Sequence, residues 1–275
     1  TAILGDSVNS SMTNSCNGQT TSKSSGILIN KGDYIELQVE QNADSVDFIY
    51  RNLNNNNTFR LSRKIDFSAS AVYSAVGGYP TIYFAKGNVK LINYSISKKD
   101  FDYVLLGNSQ TAGYRADYNY GFPRIIQNYT NASILNLAKC AATSTDFLNN
   151  VKENFNFHNK TVFISGICGN DQYAGISAAT SKANYAAIVT RLRAQSNKIV
   201  HIDNPYRATL TGGGGWAGIN ALNLWIDTTY AGTDSIVHLQ DQTYTNYAGW
   251  YADGAHLNNT GNAAVASLIM NKLPH

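Results

Sequence analysis

Five short apolar runs between residues 102 and 240 constrain the fold of this chain more than any other feature. They show no strict alternation with polar residues, as expected for strands buried on both faces of a parallel sheet. Helical segments separate them, and strands that alternate with helices predict a three-layer α/β domain over residues 99–275. The five runs are DYVLLG (102–107), SILNL (133–137), TVFISG (161–166), KIVHID (198–203) and SIVHLQ (235–240).

The segments between these runs carry signals for helices. Pro123 stands near the first turn of one segment, where its missing N–H costs nothing. Phe147, Val151 and Phe155 recur at a spacing of four in the next, which places them on one helical face. The predicted helices cover residues 121–129, 144–155, 181–195 and 262–273.

The first 98 residues have a different pattern. Residues 8–26 contain almost no apolar side chains. They predict a lead-in segment that is flexible or lies along the edge of a domain and has no core of its own. Further on, Ile35, Leu37 and Val39 alternate with polar residues, which is the period of half-buried strands. Several such runs predict an antiparallel β-sandwich of jelly-roll type in a separate domain, residues 1–98. The runs cover residues 33–41, 45–51, 58–63, 81–87 and 88–96.

Composition excludes some classes of partner. Charged residues make up 14% of the chain and the formal net charge is +3. Without a block of like charges, this balance argues against nucleic acid or an anionic membrane surface as partner. No apolar run reaches the length of a membrane span.

The three cysteines, Cys16, Cys140 and Cys168, match no disulfide framework and no zinc signature. A Cys140–Cys168 pair between neighbouring loops and two free thiols both remain open.

Chemistry in an open parallel sheet is expected at the carboxyl ends of the strands. Four segments there, or late in the chain, stand out: GNSQT (107–111), NLAKCAAT (136–143), GND (169–171) and DGAH (253–256). Together they resemble, in order, the four sequence blocks of the SGNH hydrolase family, also called GDSL esterases. The resemblance covers residues 100–275 and implies a flavodoxin-like α/β/α domain with a five-stranded parallel sheet.

A second triplet, Gly5-Asp6-Ser7, also looks like the first block of this family. Ser7 follows only four residues, too few for a strand buried in the sheet. Ser109 is therefore the predicted nucleophile.

The residue types fit acyl transfer. A serine hydroxyl needs a base to take its proton, and His256 can accept and return one near neutral pH. Asp253, three residues earlier, can orient the imidazole. The resemblance implies that the backbone N–H groups of Ser109 and Ala141 and the side-chain amide of Asn170 form the oxyanion hole. No cofactor and no metal are expected.

Two residues depart from the family pattern: Asn108 stands where Asp is usual, and Ala141 where Gly is usual. Asn keeps the size and hydrogen-bonding reach of Asp without the charge. Ala141 can donate its N–H, but a positive φ at this position would strain the backbone and misplace the oxyanion hole.

We expect an esterase that removes acyl groups, acetyl above all, from a polysaccharide or oligosaccharide. Trp216, Trp250 and Tyr251 are candidates for stacking on a sugar, with core packing as the alternative for each. Two further functions remain open: a lipid or thioester hydrolase, and a non-catalytic glycan-binding protein of a phage tail or surface adhesin.

We expect an extracellular or cell-surface location, or one on a virion.

The segment TGGGGWAG (211–218) predicts a mobile lid or tight turn, since it lacks the lysine of a phosphate-binding loop. The sequence leaves the oligomeric state open.

Overall fold

The computed structural model describes residues 8–16, 19–29, 33–64, 101–117, 119–150, 157, 160–195, 198–207 and 215–273. These residues fall into two compact units, one up to residue 64 and one from residue 101 onward. The Gly5-Asp6-Ser7 triplet and the predicted strands at 81–87 and 88–96 lie outside the described residues. The jelly-roll sandwich therefore remains a prediction.

The N-terminal unit contains a three-stranded antiparallel sheet. Its strands are β3 (Ile35–Gln41), β4 (Ser45–Asn52) and β5 (Thr58–Lys64), paired in the order β3-β4-β5. All three match predicted strands. On β3, Ile35 is buried whereas Leu37 and Val39 are about half exposed.

The predicted lead-in is wrong in part, because residues 8–29 contain a β-hairpin. Strands β1 (Val8–Cys16) and β2 (Gln19–Ile29) pair antiparallel from Val8 with Ile29 to Cys16 with Gln19. The sequence did contain a signal: Asn17-Gly18 stands between the two paired residues, and Asn-Gly is the strongest short-range hairpin signal. Apolar periodicity missed it because backbone pairing needs no apolar face.

The C-terminal unit contains the predicted five-stranded parallel sheet. Its strands are β6 (Tyr103–Gly107), β7 (Ile134–Asn136), β8 (Thr161–Ser165), β9 (Lys198–Ile202) and β10 (Ser235–Val237). They are ordered β10-β9-β8-β6-β7. In chain order β6 is the first strand of this sheet. It pairs with β7 on one side and with β8 on the other, so the carboxyl end of β6 is the topological switch point.

Seven helices and a short 3₁₀ turn, Ile167–Asn170, connect these strands within the described residues. The helices are α1 (Phe122–Thr130), α2 (Ser144–Asn150), α3 (Ala178–Arg193), α4 (Gly215–Tyr230), α5 (Gln240–Thr245), α6 (Tyr247–Trp250) and α7 (Asn259–Met270). Two local signals are evident: Pro123 opens α1, and the Ser177 hydroxyl caps α3 by accepting from the N–H of Thr180. None of the helices in the described ranges combines the length and apolarity that crossing a bilayer requires.

The glycine-rich segment was assigned wrongly. Residues 211–214 lie outside the described residues, but Gly215 begins α4, so 215–218 are helical and not a lid or turn. The helix signal was present, since Ile219, Leu222 and Ile226 recur at helical spacing and are buried. The four glycines before them obscured it.

Both faces of the parallel sheet are buried, which makes the unit three layers thick. Val104 and Leu106 of β6 share a core with residues of α2, α3 and α4. Leu105, which points to the opposite face because strand side chains alternate, is also buried. Helices α1 and α7 pack against each other as a second group. The three-layer α/β prediction is confirmed.

Candidate active site

Ser109 lies in a tight turn immediately after β6. The turn is closed by the N–H of Ala112, which donates to the Asn108 carbonyl at 3.0 Å, and by the N–H of Tyr114, which donates to the Ser109 carbonyl at 3.0 Å. The strand end requires glycine, because a Cβ at Gly107 would stand 2.8 Å from the backbone oxygen of Ser165. The close approach of β6 and β8 thus holds Ser109 at the switch point of the sheet.

Ser109, His256 and Asp253 form a continuous chain of polar contacts. Nε2 of His256 lies 3.0 Å from the Ser109 hydroxyl oxygen, and Nδ1 lies 3.1 Å from both carboxylate oxygens of Asp253. Because a carboxylate can only accept, the Nδ1–H of a neutral imidazole donates to Asp253 and Nε2 accepts from the Ser109 hydroxyl. Two residues that stand 147 positions apart in sequence therefore meet in the fold.

The Asp253 carboxylate is fixed by its own loop. The backbone N–H groups of Ala255 and His256 both donate to its Oδ1 at 2.8 Å. Burial acts to raise the pKa of Asp253, but these hydrogen bonds and the His256 side chain lower it overall. The carboxylate is charged at neutral pH, as the partner of an imidazole must be.

Burial lowers the pKa of His256 from its ordinary value, although the hydrogen bond and charge of Asp253 act in the opposite direction. The imidazole is therefore neutral at pH 7 and able to accept a proton.

Gln110 contacts the loop that carries Asp253 and His256, because its Nε2 donates to the carbonyl of Ala255.

Asn108 occupies the family's Asp position without leaving a polar group unsatisfied. It is fully buried. Its Nδ2 donates to the Gly166 carbonyl at 2.5 Å and its Oδ1 accepts from the N–H of Gln110 at 3.0 Å. An ionised Asp could not donate to Gly166. The amide therefore suits this turn better than the carboxylate it replaces.

The three predicted oxyanion donors come from the loops after β6, β7 and β8. Within the described part of the chain, neither the backbone N–H of Ser109 nor that of Ala141 donates to a protein acceptor. Nδ2 of Asn170 uses one hydrogen for the Ala142 carbonyl at 3.0 Å, and an amide has a second. Uncommitted donors such as these, if they point at one place, can stabilise negative charge.

Ala141 adopts the left-handed conformation, with φ of +58°. The loop therefore requires the positive φ that glycine adopts freely, and an alanine there is strained by about 1 kcal/mol. The strain expected for a positive φ is therefore present, while the Ala141 N–H still has no protein acceptor among the described residues.

Sequence reasoning missed Arg207, which supports Asn170 from the loop after β9. Its Nη1 donates to the Asn170 Oδ1 and to the Gly169 carbonyl, both at 3.1 Å. The side chain is almost fully buried, and within the described residues its Nε and Nη2 have no partner. Gly169 leaves room for it, because a Cβ there would stand 2.8 Å from Nη2. No sequence pattern indicates a lone arginine in a loop.

The predicted aromatic contacts have a mixed outcome. The Tyr251 hydroxyl donates to the Tyr206 carbonyl at 2.5 Å, and Trp250 is partly buried. The side chain of Trp216 lies outside the described residues. Sequence reasoning missed Tyr114, which is 45% exposed and whose ring lies edge-on to the His256 imidazole at 4.8 Å. Tyr173, close in sequence to Asn170, is 59% exposed.

Cys140 and Cys168 are not joined by a disulfide, so of the two open alternatives the structure has two thiols. Cys168 is buried, and burial raises its pKa well above the ordinary thiol value.

Comparison with known proteins assigns the fold to a family. A model of the GDSL-like Lipase/Acylhydrolase family matches residues 105–264, more than half of the chain. The chain belongs to this family. The match spans all four sequence blocks, from the turn after β6 to the Asp253–His256 loop. No curated protein matches the chain.

Solved structures of other family members share the fold of this GDSL-like protein. A lipolytic protein of the G-D-S-L family from Veillonella parvula superposes with a TM-score of 0.57 at 13% identity, covering 62% of this chain and 97% of that one. A GDSL-like lipase from Bacteroides thetaiotaomicron gives 0.50 at 17% identity, covering 62% and 85%. At these identities the likeness shows the α/β fold alone.

Proposed function

We propose that this GDSL-like protein is a serine esterase that removes short acyl groups, acetyl above all, from a carbohydrate outside the cell. Ser109 is the nucleophile, His256 the general base and acid, and Asp253 the residue that orients His256. The observation that carries the proposal is the unbroken chain of contacts from the Ser109 hydroxyl through both imidazole nitrogens to the Asp253 carboxylate.

In the first step the Ser109 oxygen attacks the ester carbonyl while its proton passes to Nε2 of His256. The carbonyl oxygen becomes an oxyanion that the N–H groups of Ser109 and Ala141 and the second N–H of Asn170 stabilise. The bond between the acyl carbon and the sugar oxygen then breaks while His256 gives its proton to that oxygen, so the sugar leaves with a free hydroxyl and an acyl-serine remains. Water then attacks the carbonyl of the acyl-serine while its proton passes to His256. The acid leaves, and His256 returns the proton to the Ser109 oxygen.

The carbohydrate part of the proposal rests on polar, aromatic surroundings. Tyr114 beside His256 and Tyr173 near Asn170 expose flat rings that can stack on a sugar. Arg115 lies over the Tyr114 ring at 5.1 Å and pairs with Asp253 at 3.3 Å, which adds polar character to the same surface. Trp250 and Tyr251 are weaker candidates for stacking on a sugar, because both side chains are partly buried.

Acetate release from an acetylated polysaccharide tests the proposal. Removing a triad serine typically costs about 10⁴-fold or more in rate. We expect this loss for Ser109→Ala and wild-type rates for Ser267→Ala, a matched change at an exposed serine of α7. Equal release by wild type and Ser109→Ala would refute the proposal.

A lipid acylhydrolase is the second candidate, favoured by the lipolytic relatives named above. Rates on acetyl and octanoyl aryl esters separate the two, because a lipid-binding pocket prefers the longer chain. We expect the acetyl ester to be hydrolysed faster.

The departures at Asn108 and Ala141 favour a third candidate, a glycan-binding protein that has lost catalysis. Labelling with an organophosphonate distinguishes it, because only an activated serine reacts. We expect labelling of wild type at Ser109. Glycan binding without labelling or turnover would favour the third candidate.

A further inference from the structure

A second cluster of ionisable side chains lies at the carboxyl ends of β9 and β10. Asp203 directly follows β9, His238 directly follows β10, and Asp227 lies on α4. The N–H of Asp203 donates to the Val237 carbonyl at 3.1 Å, which joins the two strand ends. None of these residues contacts Ser109, His256 or Asp253 through a hydrogen bond or ion pair in the described part of the chain.

We propose that Asp203, Asp227 and His238, hereafter the Asp-Asp-His cluster, bind a divalent first-row transition-metal ion such as Zn²⁺. One ligand atom from each residue, two carboxylate oxygens and an imidazole nitrogen, lies within 4.8 Å of the other two. The proposal goes beyond the esterase function and does not depend on it.

The distances inside the cluster suit a shared cation better than hydrogen bonds. Nδ1 of His238 lies 3.4 Å from an oxygen of Asp203 and 3.5 Å from an oxygen of Asp227. Charge-assisted hydrogen bonds are shorter, about 2.7–2.9 Å. Tetrahedral ligands about 2.0–2.2 Å from a zinc ion stand about 3.3–3.6 Å apart, which matches both separations.

The burial of Asp203 gives an independent reason for a cation. Its side chain is 3% exposed. In the described part of the chain, the Oδ1 atoms of both Asp203 and Asp227 are buried and accept no hydrogen bond, whereas the Oδ2 atoms are the oxygens that face His238. Two adjacent buried carboxyl groups are unfavourable unless a cation compensates their charge or they share a proton.

The exposed His238 ring leaves one side of the cluster open for entry of an ion and for water as a further ligand.

The ligand types select the class of metal. Imidazole with carboxylates suits Zn²⁺ and its neighbours, whereas Ca²⁺ and Mg²⁺ prefer all-oxygen ligands. A bound ion would join α4 to the ends of two strands, so we assign it a structural role. The esterase chemistry at Ser109 needs no metal, and each proposal can fail without the other.

Calorimetric titration of Zn²⁺ into the EDTA-treated and desalted full chain, in excess Mg²⁺, tests this site. We expect one equivalent to bind to the wild type. Affinity should fall at least about tenfold in Asp227→Asn and in His238→Gln. Asp241→Asn, a matched change at an exposed carboxylate of α5, should bind like wild type.

Thermal unfolding provides a second readout that activity cannot confound. Zn²⁺ should raise the melting temperature of wild type and of Asp241→Asn, because an ion that binds only the folded state stabilises it. It should not raise the melting temperature of Asp227→Asn or His238→Gln. His238 is exposed, so His238→Gln will fold even if a change at a carboxylate does not. Absence of stoichiometric binding, equal binding by all variants, or displacement of Zn²⁺ by Mg²⁺ would overturn the proposal.

Discussion

The turn after β6 and the loop after β7 both depart from the family pattern, yet the structure accommodates the two departures differently. Asn108 in the first is buried with both ends of its amide hydrogen bonded. Ala141 in the second is held at a φ of +58° that only glycine adopts without strain. The comparison teaches that the sequence of the first turn has adapted to its change, whereas the second keeps the required backbone at an energetic cost.

The largest expected effect comes from restoring the family's residue in the first turn. Asn108→Asp removes the donor to Gly166 and buries a charge, so we expect a loss of about 3 kcal/mol in the free energy of unfolding. Urea denaturation measures it. The exposed Asn128→Asp on α1 should change stability by less than about 0.5 kcal/mol. Equal effects of the two changes would show that the amide at position 108 is not specifically required.

A third loop sharpens the comparison, because Arg207 supports the donor of the loop after β8. Arg207→Lys removes the guanidinium Nη1 that donates to both Asn170 and Gly169, and an ammonium group does not reproduce its planar geometry. We expect kcat to fall about tenfold, since a misplaced oxyanion donor weakens transition-state binding, with little change in KM.

The control for this positioning role is Arg191→Lys, an exposed change on α3 that should leave both constants unchanged. A rise in KM with constant kcat in Arg207→Lys would instead indicate that Arg207 contacts the substrate.

Ala141→Gly should relieve the strain in the second loop. We expect a gain of about 1 kcal/mol in the free energy of unfolding, because glycine adopts positive φ freely. The neighbouring Ala142→Gly is a matched control at a buried residue without positive φ and should destabilise by a similar amount. Destabilisation by both changes would mean that position 141 is not strained.

The smallest effect concerns His256, the proposed base for Ser109 in the first turn. His256 must be neutral to accept a proton, and its pKa lies below the ordinary value near 6.5 because burial disfavours the imidazolium ion. Activity is therefore retained as the pH falls and is lost only below the lowered pKa. We expect the acid limb of kcat/KM to have its midpoint below 6.5.

Asp253→Asn extends this test. Asp253 raises the pKa of His256, so its neutralisation should move the acid limb to still lower pH while kcat falls. A shift to higher pH would contradict the assigned contact.

Much of the fold was predictable because local patterns carried it. Five apolar runs became the five parallel strands, and the four predicted helices correspond to α1, α2, α3 and α7. Residues 151–155 of the second predicted helix lie outside the described residues. Two elements were missed although their signals were present: the hairpin of β1 and β2 and helix α4. In both, polar or glycine-rich composition outweighed a correct local signal.

The principal members of the candidate site were also predictable, because residues that follow parallel strands meet at one edge. Ser109 and His256 came together as expected. Tyr114 and Arg207 were not predictable, since their contacts with His256 and Asn170 depend on loop paths that no periodic pattern encodes.

The sequence by itself determined the order of strands and helices and the polar segments that follow the strands, because these follow from local periodicity and chain order. Only the tertiary structure decided the backbone strain at Ala141, the hydrogen bonds of Asn108, the support of Asn170 by Arg207 and the meeting of Asp203, Asp227 and His238. Those features arise from contacts between distant segments, whose geometry depends on how the whole sheet and its helices pack.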